Sequence, residues 1–124
     1  MKLVDSSGWL EFFTGGPLAG SYAKHLDQLH EIVTPTVVFY EVYKVIKRER
    51  SEEEALAAAA QMGKTRIIPL TETIALTAAD ISLSHRLAMA DAVIYATSLT
   101  EKANLLTSDF NLGTLPGVTY LKKA

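Results

Sequence analysis

Apolar residues along the chain fall into two alternating kinds of segment. Short runs at Lys2-Leu3-Val4, Glu31-Ile32-Val33, Arg66 to Leu70, Asn104 to Thr107 and Val118 to Leu121 read as strands. Between them lie longer stretches in which apolar positions recur every three or four residues, the period of a helix with one buried face. These predict helices from Ser6 or Ser7 to Phe13, from Leu18 to Leu29, from Thr36 towards Arg50, from Thr71 to about Ser84 and from Ala88 to Lys102. Ser51-Glu52-Glu53-Glu54 fits a capping box at the head of a further, alanine-rich helix ending near Gly63. Gly15-Gly16-Pro17 separates the first two helices, and Gly113 to Gly117 reads as a turn. Strands alternating with helices predict an α/β fold, a three-layer α/β/α arrangement around a short, mainly parallel central sheet. No repeat, low-complexity tract or linker interrupts the sequence, so residues 1–124 are expected to form one domain.

Four carboxylates sit awkwardly in this pattern. Glu41 lies four residues after Val37 and four before Val45, which puts it on an apolar stripe of its helix. Asp91 shares a helical face with Leu87, Ile94 and Tyr95. A charge on an inward face is costly unless it is paired or binds a metal. Asp5 and Asp109 lie at, or within two residues of, the ends of predicted strands. In parallel sheets, sites form beyond the carboxyl ends of the strands, where the winding reverses. Each acid also has an ordinary reading: Asp5 and Asp109 as N-caps or turn residues, Asp91 as a helix cap, and Glu41 as half of a buried ion pair with Lys or Arg. The remaining acids need less explanation. Glu52, Glu53 and Glu54 favour the dipole of a helix first turn, and Glu49, Glu72 and Glu101 read as solvated helix surface.

Composition removes several classes of function. A chain that is 48% hydrophobic and 21% charged is neither disordered nor a coiled coil. Its apolar runs fall far short of the roughly 20 residues that cross a bilayer. Met1-Lys2-Leu3-Val4-Asp5 meets a carboxylate before a signal-peptide core forms, so a cytoplasmic location with no membrane partner is expected. There is no cysteine, which excludes disulfides, thiolate zinc sites and a cysteine nucleophile. His25, His30 and His85 lack zinc-ligand spacing, and Gly15-Gly16 is not a phosphate-binding loop. An aspartyl-phosphate enzyme would want a second acid beside Asp5, where Ser6 and Ser7 stand instead. The net charge of −2, from 12 basic and 14 acidic residues, lacks the footprint of a protein that grips nucleic acid by phosphate contacts alone. Bound divalent cations, however, invert the local sign around a carboxylate cluster.

If the four acids converge, mutual repulsion raises at least one pKa and destabilises the fold until a counter-charge arrives. Mg²⁺ or Mn²⁺ is suited to this role, because hard cations take carboxylate oxygens. Such a site fits phosphodiester hydrolysis. Four fragments carry a family likeness: Val4-Asp5-Ser6-Ser7-Gly8-Trp9, Glu41 after a Thr34-Pro35 start, Ala90-Asp91-Ala92 with Ile94 and Ala96, and Leu106-Thr107-Ser108-Asp109. With the Leu115-Pro116-Gly117-Val118 ending, they span nearly the whole chain and resemble PIN-domain nucleases. In order, spacing and length they are most similar to the VapC-type toxins of toxin–antitoxin pairs.

The resemblance implies a metal-dependent endoribonuclease with Asp5, Glu41, Asp91 and Asp109 as its acidic quartet. Asp5, Asp91 and Asp109 would hold Mg²⁺ or Mn²⁺, and Glu41 would complete the cluster or hold a water beside the ion. Thr107 and Ser6 would be supporting hydroxyls. The family often carries a further Asp where this chain has Asn111, which leaves a second metal position without its charge. The implied partners are an RNA substrate, a cognate antitoxin with a basic tail, and a second copy of the chain in a homodimer. Two other readings stand beside it: a PIN-type nuclease in RNA processing or on structured DNA without an antitoxin, and a non-catalytic PIN-like module that docks RNA or protein. Lys44, Lys47, Arg48 and Arg50 form the one local basic concentration, either a solvated helix end or an RNA-backbone contact. Trp9, Phe12, Phe13, Phe39, Tyr40 and Tyr43 are expected mostly in the core, with some on a dimer or partner surface.

Overall fold

In the computed structural model, which describes residues 1–123, five strands form one sheet. They are β1 (Lys2–Val4), β2 (Ile32–Pro35), β3 (Arg66–Ile68), β4 (Asn104–Thr107) and β5 (Thr119–Tyr120). The order across the sheet is β3-β2-β1-β4-β5, and each neighbouring pair is parallel. Helices α1 (Ser6–Thr14) and α2 (Ala19–His25) connect β1 to β2, and α3 (Thr36–Glu49) and α4 (Glu52–Met62) connect β2 to β3. The return to the other side of β1 runs through α5 (Glu72–His85) and α6 (Met89–Thr100), and α7 (Phe110–Gly113) links β4 to β5. The chain thus winds outward from β1 to β3, then doubles back to β4 and β5. α1 packs against β1 and β4, α3 against β2, and α6 against β4. The expected three-layer α/β architecture is observed, with a sheet that is wholly parallel.

Both faces of the sheet are covered, so its central strands read as apolar on every residue rather than on alternate ones. Leu3, Val4, Ile32, Val33, Leu105 and Leu106 are all fully buried. Trp9, Tyr22, Val38, Val42, Met62, Ile74 and Ile94 close over them from the helices. Among the described residues, no helix is long and apolar enough to cross a membrane.

Several expected boundaries move. α2 stops at His25 rather than Leu29, and Leu29–Glu31 form a 3-10 turn that carries the chain into β2 after Leu26 has buried its side chain. β2 is Ile32–Pro35, one residue later in its start and two in its end than the expected Glu31 to Val33, and all four of its residues are buried. β3 ends at Ile68, not Leu70, because Pro69 has no N–H with which to continue a ladder. Phe110–Gly113 form the short α7, capped by Asp109, so the helix takes in Gly113, the first residue of the expected Gly113 to Gly117 turn.

Two assignments of side chains to the core also change. The buried face of α3 is Val38, Val42 and Ile46, so Val37, Glu41 and Val45 lie one residue round, half-buried at its margin. Of the six aromatic residues expected mostly inside, only Trp9 is fully buried. Phe12, Phe13, Phe39 and Tyr43 are half-buried, and Tyr40 is 62% exposed.

Candidate metal centre

The winding reverses between β1 and β4, and the site lies beyond the ends of these two strands. Val4 pairs with Leu106, and the Asp5 amide donates to the Leu106 carbonyl at 3.2 Å. The register therefore sets Asp5 beside Thr107. The Thr107 hydroxyl donates to Asp5 Oδ2 at 2.6 Å and accepts from the Asp109 amide at 2.9 Å. On the other side, the Ser7 hydroxyl donates to Asp5 Oδ1 at 2.7 Å and accepts from the Ser108 amide at 3.0 Å. Two consecutive amides of the β4–α7 turn thus each feed a hydroxyl, and each hydroxyl feeds a different oxygen of Asp5. The Gly8 amide adds a third donor, at 3.1 Å from Oδ1.

The ordinary capping readings hold for both strand-end acids. Asp5 caps α1 through Gly8, and Asp109 caps α7 by accepting from the Asn111 amide at 2.8 Å. The two caps face the same sheet edge, so capping fixes where the carboxylates point. Asn111 contributes its amide to Asp109 and no charge.

Glu41 comes from the second turn of α3, and its expected alternative partner, a Lys or Arg, is not what it meets. The Ser6 hydroxyl donates to Glu41 Oε1 at 2.5 Å, which ties Glu41 to the residue next to Asp5. Asp91 is the third residue of α6, where a carboxylate suits the positive end of the helix dipole. It is half-buried, and α6 packs against α3.

The acids feel one another. Burial pushes the Asp91 carboxyl up to about 6, with further increments from the charges of Asp109, Glu41 and Asp5. Burial also lifts Asp5 to about 6, outweighing the hydrogen bonds from Thr107, Ser7 and Gly8, while the charge of Asp109 adds to the rise. Desolvation dominates both shifts, and no basic side chain offsets either. Among the described residues, no three of the acidic or histidine side chains close around one point as they stand. Unneutralised carboxylates repel, and a cation would draw them together. The donors are all hard oxygens, a set suited to Mg²⁺ or Mn²⁺ and not to a soft metal. Asp5, Asp91 and Asp109 could hold such an ion, with Glu41 alongside.

The basic end of α3 is not drawn into this cluster. Lys47 pairs with Glu52 at 3.2 Å, Arg48 with Glu49 at 3.1 Å and Arg50 with Glu54 at 3.6 Å, all on exposed surface. Lys44 lies over the ring of Tyr40, 5.3 Å from its centroid, three residues beyond Glu41. Thr107 and Ser6, the expected supporting hydroxyls, bond Asp5 and Glu41, and Ser7 and Ser108, which the sequence does not single out, join the same network. Their signal is a hydroxyl pair at or just beyond the end of each strand, Ser6-Ser7 and Thr107-Ser108, which acquires meaning only when β1 and β4 are known to be neighbours.

The PIN domain family matches residues 2–117. This chain belongs to the PIN-domain family. The fold of this PIN domain is shared with several solved structures. A toxin–antitoxin complex from Klebsiella pneumoniae is 21% identical, with 96% of each chain covered and a TM-score of 0.80. VapC20 from Mycobacterium tuberculosis, described as a toxin that cleaves the sarcin-ricin loop, is 21% identical over 95% of this chain and 98% of that one, with a TM-score of 0.77. VapBC2 from Rickettsia felis, bound to a DNA fragment from its promoter, is 14% identical over 99% and 98%, with a TM-score of 0.77. At these identities the likeness is one of fold. No curated protein sequence gives a significant match.

Proposed function

We propose that this PIN domain is a metal-dependent endoribonuclease that hydrolyses RNA phosphodiester bonds, and that it is the toxin of a toxin–antitoxin pair. The observation that carries the reading is electrostatic. Asp5 and Asp91, from separate segments at the switch in winding, have their carboxyl pKa values raised to about 6 by burial and by the charges of neighbouring carboxylates, and no basic side chain offsets this. The described toxin activity of VapC20, and the toxin–antitoxin complexes among the structures of similar fold, support it.

Asp5, Asp91 and Asp109 would hold Mg²⁺ or Mn²⁺. The bound ion supplies Lewis acidity, acidifying and orienting a water and offsetting charge on the scissile phosphate. The chain's own part is to fix the donors. Asp5 has both oxygens engaged by Ser7, Gly8 and Thr107, so it cannot rotate away as the cluster loads. Ser6 holds Glu41, whose carboxylate can accept a proton from the attacking water. With no cation, the cleft repels a phosphate.

A cognate antitoxin with a basic tail would silence this cleft by inserting an Arg or Lys, since a guanidinium satisfies carboxylates with paired hydrogen bonds. A cavity of about 480 Å³ between α1, α3 and α4, lined by Trp9, Phe12, Phe13, Leu29 and Ile46, offers an apolar seat for the rest of such a partner. Leu76, Leu83 and Met89 on α5 and α6 are 64%, 83% and 72% exposed, an apolar face suited to a homodimer. A cytoplasmic location accords with an RNA substrate.

The test is incubation with a mixed RNA pool in Mn²⁺, against EDTA and Asp5→Asn controls. Internal cleavage that needs both the metal and Asp5 supports the proposal. Intact RNA in all arms, or cleavage of structured DNA alone, overturns it. A small neighbouring gene encoding a DNA-binding head and a basic tail would support the toxin assignment.

A further inference from the structure

We infer that Tyr22 is a positioning residue for the acidic cluster: its phenol fixes the Ser108 side chain and, through it, the turn that holds Asp109 against Asp5. The inference rests on the metal-centre reading above. Tyr22 comes from α2, which contributes no acid, and it is fully buried. Its hydroxyl lies 2.7 Å from Ser108 Oγ. Ser108 Oγ donates to the Leu121 carbonyl at 2.8 Å. A hydroxyl has one proton, so Ser108 can only accept from Tyr22, and the phenol is the donor. Burial raises the Tyr22 pKa to about 12, which keeps that proton in place across the working range.

Ser108 then acts through both of its polar ends. Its side chain ties the turn to the segment after β5, which is also held by the Leu121 amide donating to the Thr107 carbonyl at 2.8 Å. Its amide donates to Ser7 Oγ, which spends its own proton on Asp5 Oδ1. Tyr22 therefore donates into the turn at Ser108 Oγ, which donates on to Leu121, while the Ser108 amide begins a second run of donors through Ser7 to Asp5. Asp109 is the next residue along. An ion shared by Asp5 and Asp109 needs their oxygens at a set separation, and repulsion between the two works against that separation until the ion binds. A strut anchored outside the cluster resists it.

The fold also makes room for this strut. A Cβ at Gly8 would overlap Tyr22 Cε1 and come within 2.6 Å of Val4 Cγ1. The absent side chain at Gly8 lets the Tyr22 ring lie against the first turn of α1, the same turn that Asp5 caps. Tyr22 thus reaches the turn across the residue whose amide Asp5 accepts.

The experiment removes only the phenolic hydroxyl. Tyr22→Phe, Ser108→Ala and the double variant are titrated with Mn²⁺, following free ion by electron paramagnetic resonance, and melted in EDTA. Direct outer-shell partners of metal ligands are worth roughly 10–100-fold in affinity. Two hydrogen bonds further out, Tyr22→Phe should weaken Mn²⁺ binding by about threefold to tenfold. Ser108→Ala, which also drops the Leu121 bond, should lose at least as much, the double variant no more than Ser108→Ala, and Ser108→Thr should restore binding, because both substitutions break the same Tyr22–Ser108 bond. A lower melting midpoint with unchanged Mn²⁺ affinity would make Tyr22 merely structural and overturn the inference. Additive losses in the double variant would overturn it too. Wild-type protein that binds no Mn²⁺ overturns the metal-centre reading itself, and this inference with it.

Discussion

Thr107 gives its hydroxyl proton to Asp5 at 2.6 Å while taking the Asp109 amide proton at 2.9 Å. One fully buried side chain therefore bridges Asp5, which follows β1, and Asp109, which follows β4. Its place in the β1–β4 register makes the bridge possible: Val4 and Leu106 are partners, so the next residue on each strand falls alongside.

Replacing Thr107 with Val keeps the shape and removes both bonds. It leaves one Asp5 oxygen short of a donor and the Asp109 amide unpaired. A buried group left this way costs about 1–3 kcal/mol. Thr107→Val should lose stability in that range by urea denaturation, and its Mn²⁺ affinity should fall with it. Thr107→Ser keeps the hydroxyl and should recover most of both. Equal stability for Val and Ser would show that the bridge contributes nothing.

Stability without metal should fall as pH rises. Asp5 and Asp91 titrate near 6 in the folded protein, against 3.8 for an ordinary aspartate. Between those values the folded chain holds more protons than the unfolded one, so the stabilisation present below about pH 4 is lost progressively up to about pH 6. For buried Asp5 the two-unit span corresponds to about 3 kcal/mol. Asp91 is half solvated and adds less. In EDTA, Asp5 and Asp91 together should therefore favour a higher melting midpoint near pH 5 than near pH 7.5. Mn²⁺ should raise the midpoint near pH 7.5 and have little effect near pH 4, where protons occupy the carboxylates.

Asp91→Asn separates function from folding. Among the described residues its carboxylate accepts no hydrogen bond, so the amide removes a repelled charge without breaking a contact. Above about pH 6 the metal-free variant should be more stable than wild type, by up to about 1 kcal/mol at this half-solvated position. Metal-dependent RNA cleavage should drop by more than the roughly 10–100-fold that loss of an outer-shell partner costs. Thermal melts in EDTA and a gel-based cleavage assay check the two halves. A variant that is less stable and equally active would dismiss Asp91 from the cluster.

Among the basic residues of α3, Lys44 should matter most to RNA. Lys47 and Arg48 are already paired with Glu52 and Glu49, whereas Lys44 leans on Tyr40 beside Glu41. Lys44→Ala should raise KM for RNA and flatten its salt dependence by about one counterion. Arg48→Ala should change both far less. Cleavage rates at several salt concentrations make the comparison, and equal effects would place the RNA path elsewhere.

The layers are legible in the amino-acid pattern, and so are four acids that sit awkwardly in it. Alternating apolar runs and helical periods require buried strands beneath amphipathic helices, and Asp5, Glu41, Asp91 and Asp109 stand out because they interrupt that pattern. Local chemistry could also give their ordinary roles, and Asp5 and Asp109 do cap α1 and α7. Period alone placed Glu41 in the middle of an apolar stripe, when the buried face is centred on Val38, Val42 and Ile46. A sequence window shows which residues share a helix face, but the packing partner decides how that face is rotated. The pairing of β1 with β4 across a hundred residues of chain was likewise invisible, and with it Ser7, Ser108 and Tyr22. Hydroxyls are common at strand and helix ends, and nothing local distinguishes one that will meet a carboxylate. Only the reversal of winding, which brings the first strand beside the fourth, turns those hydroxyls into a bracket around Asp5.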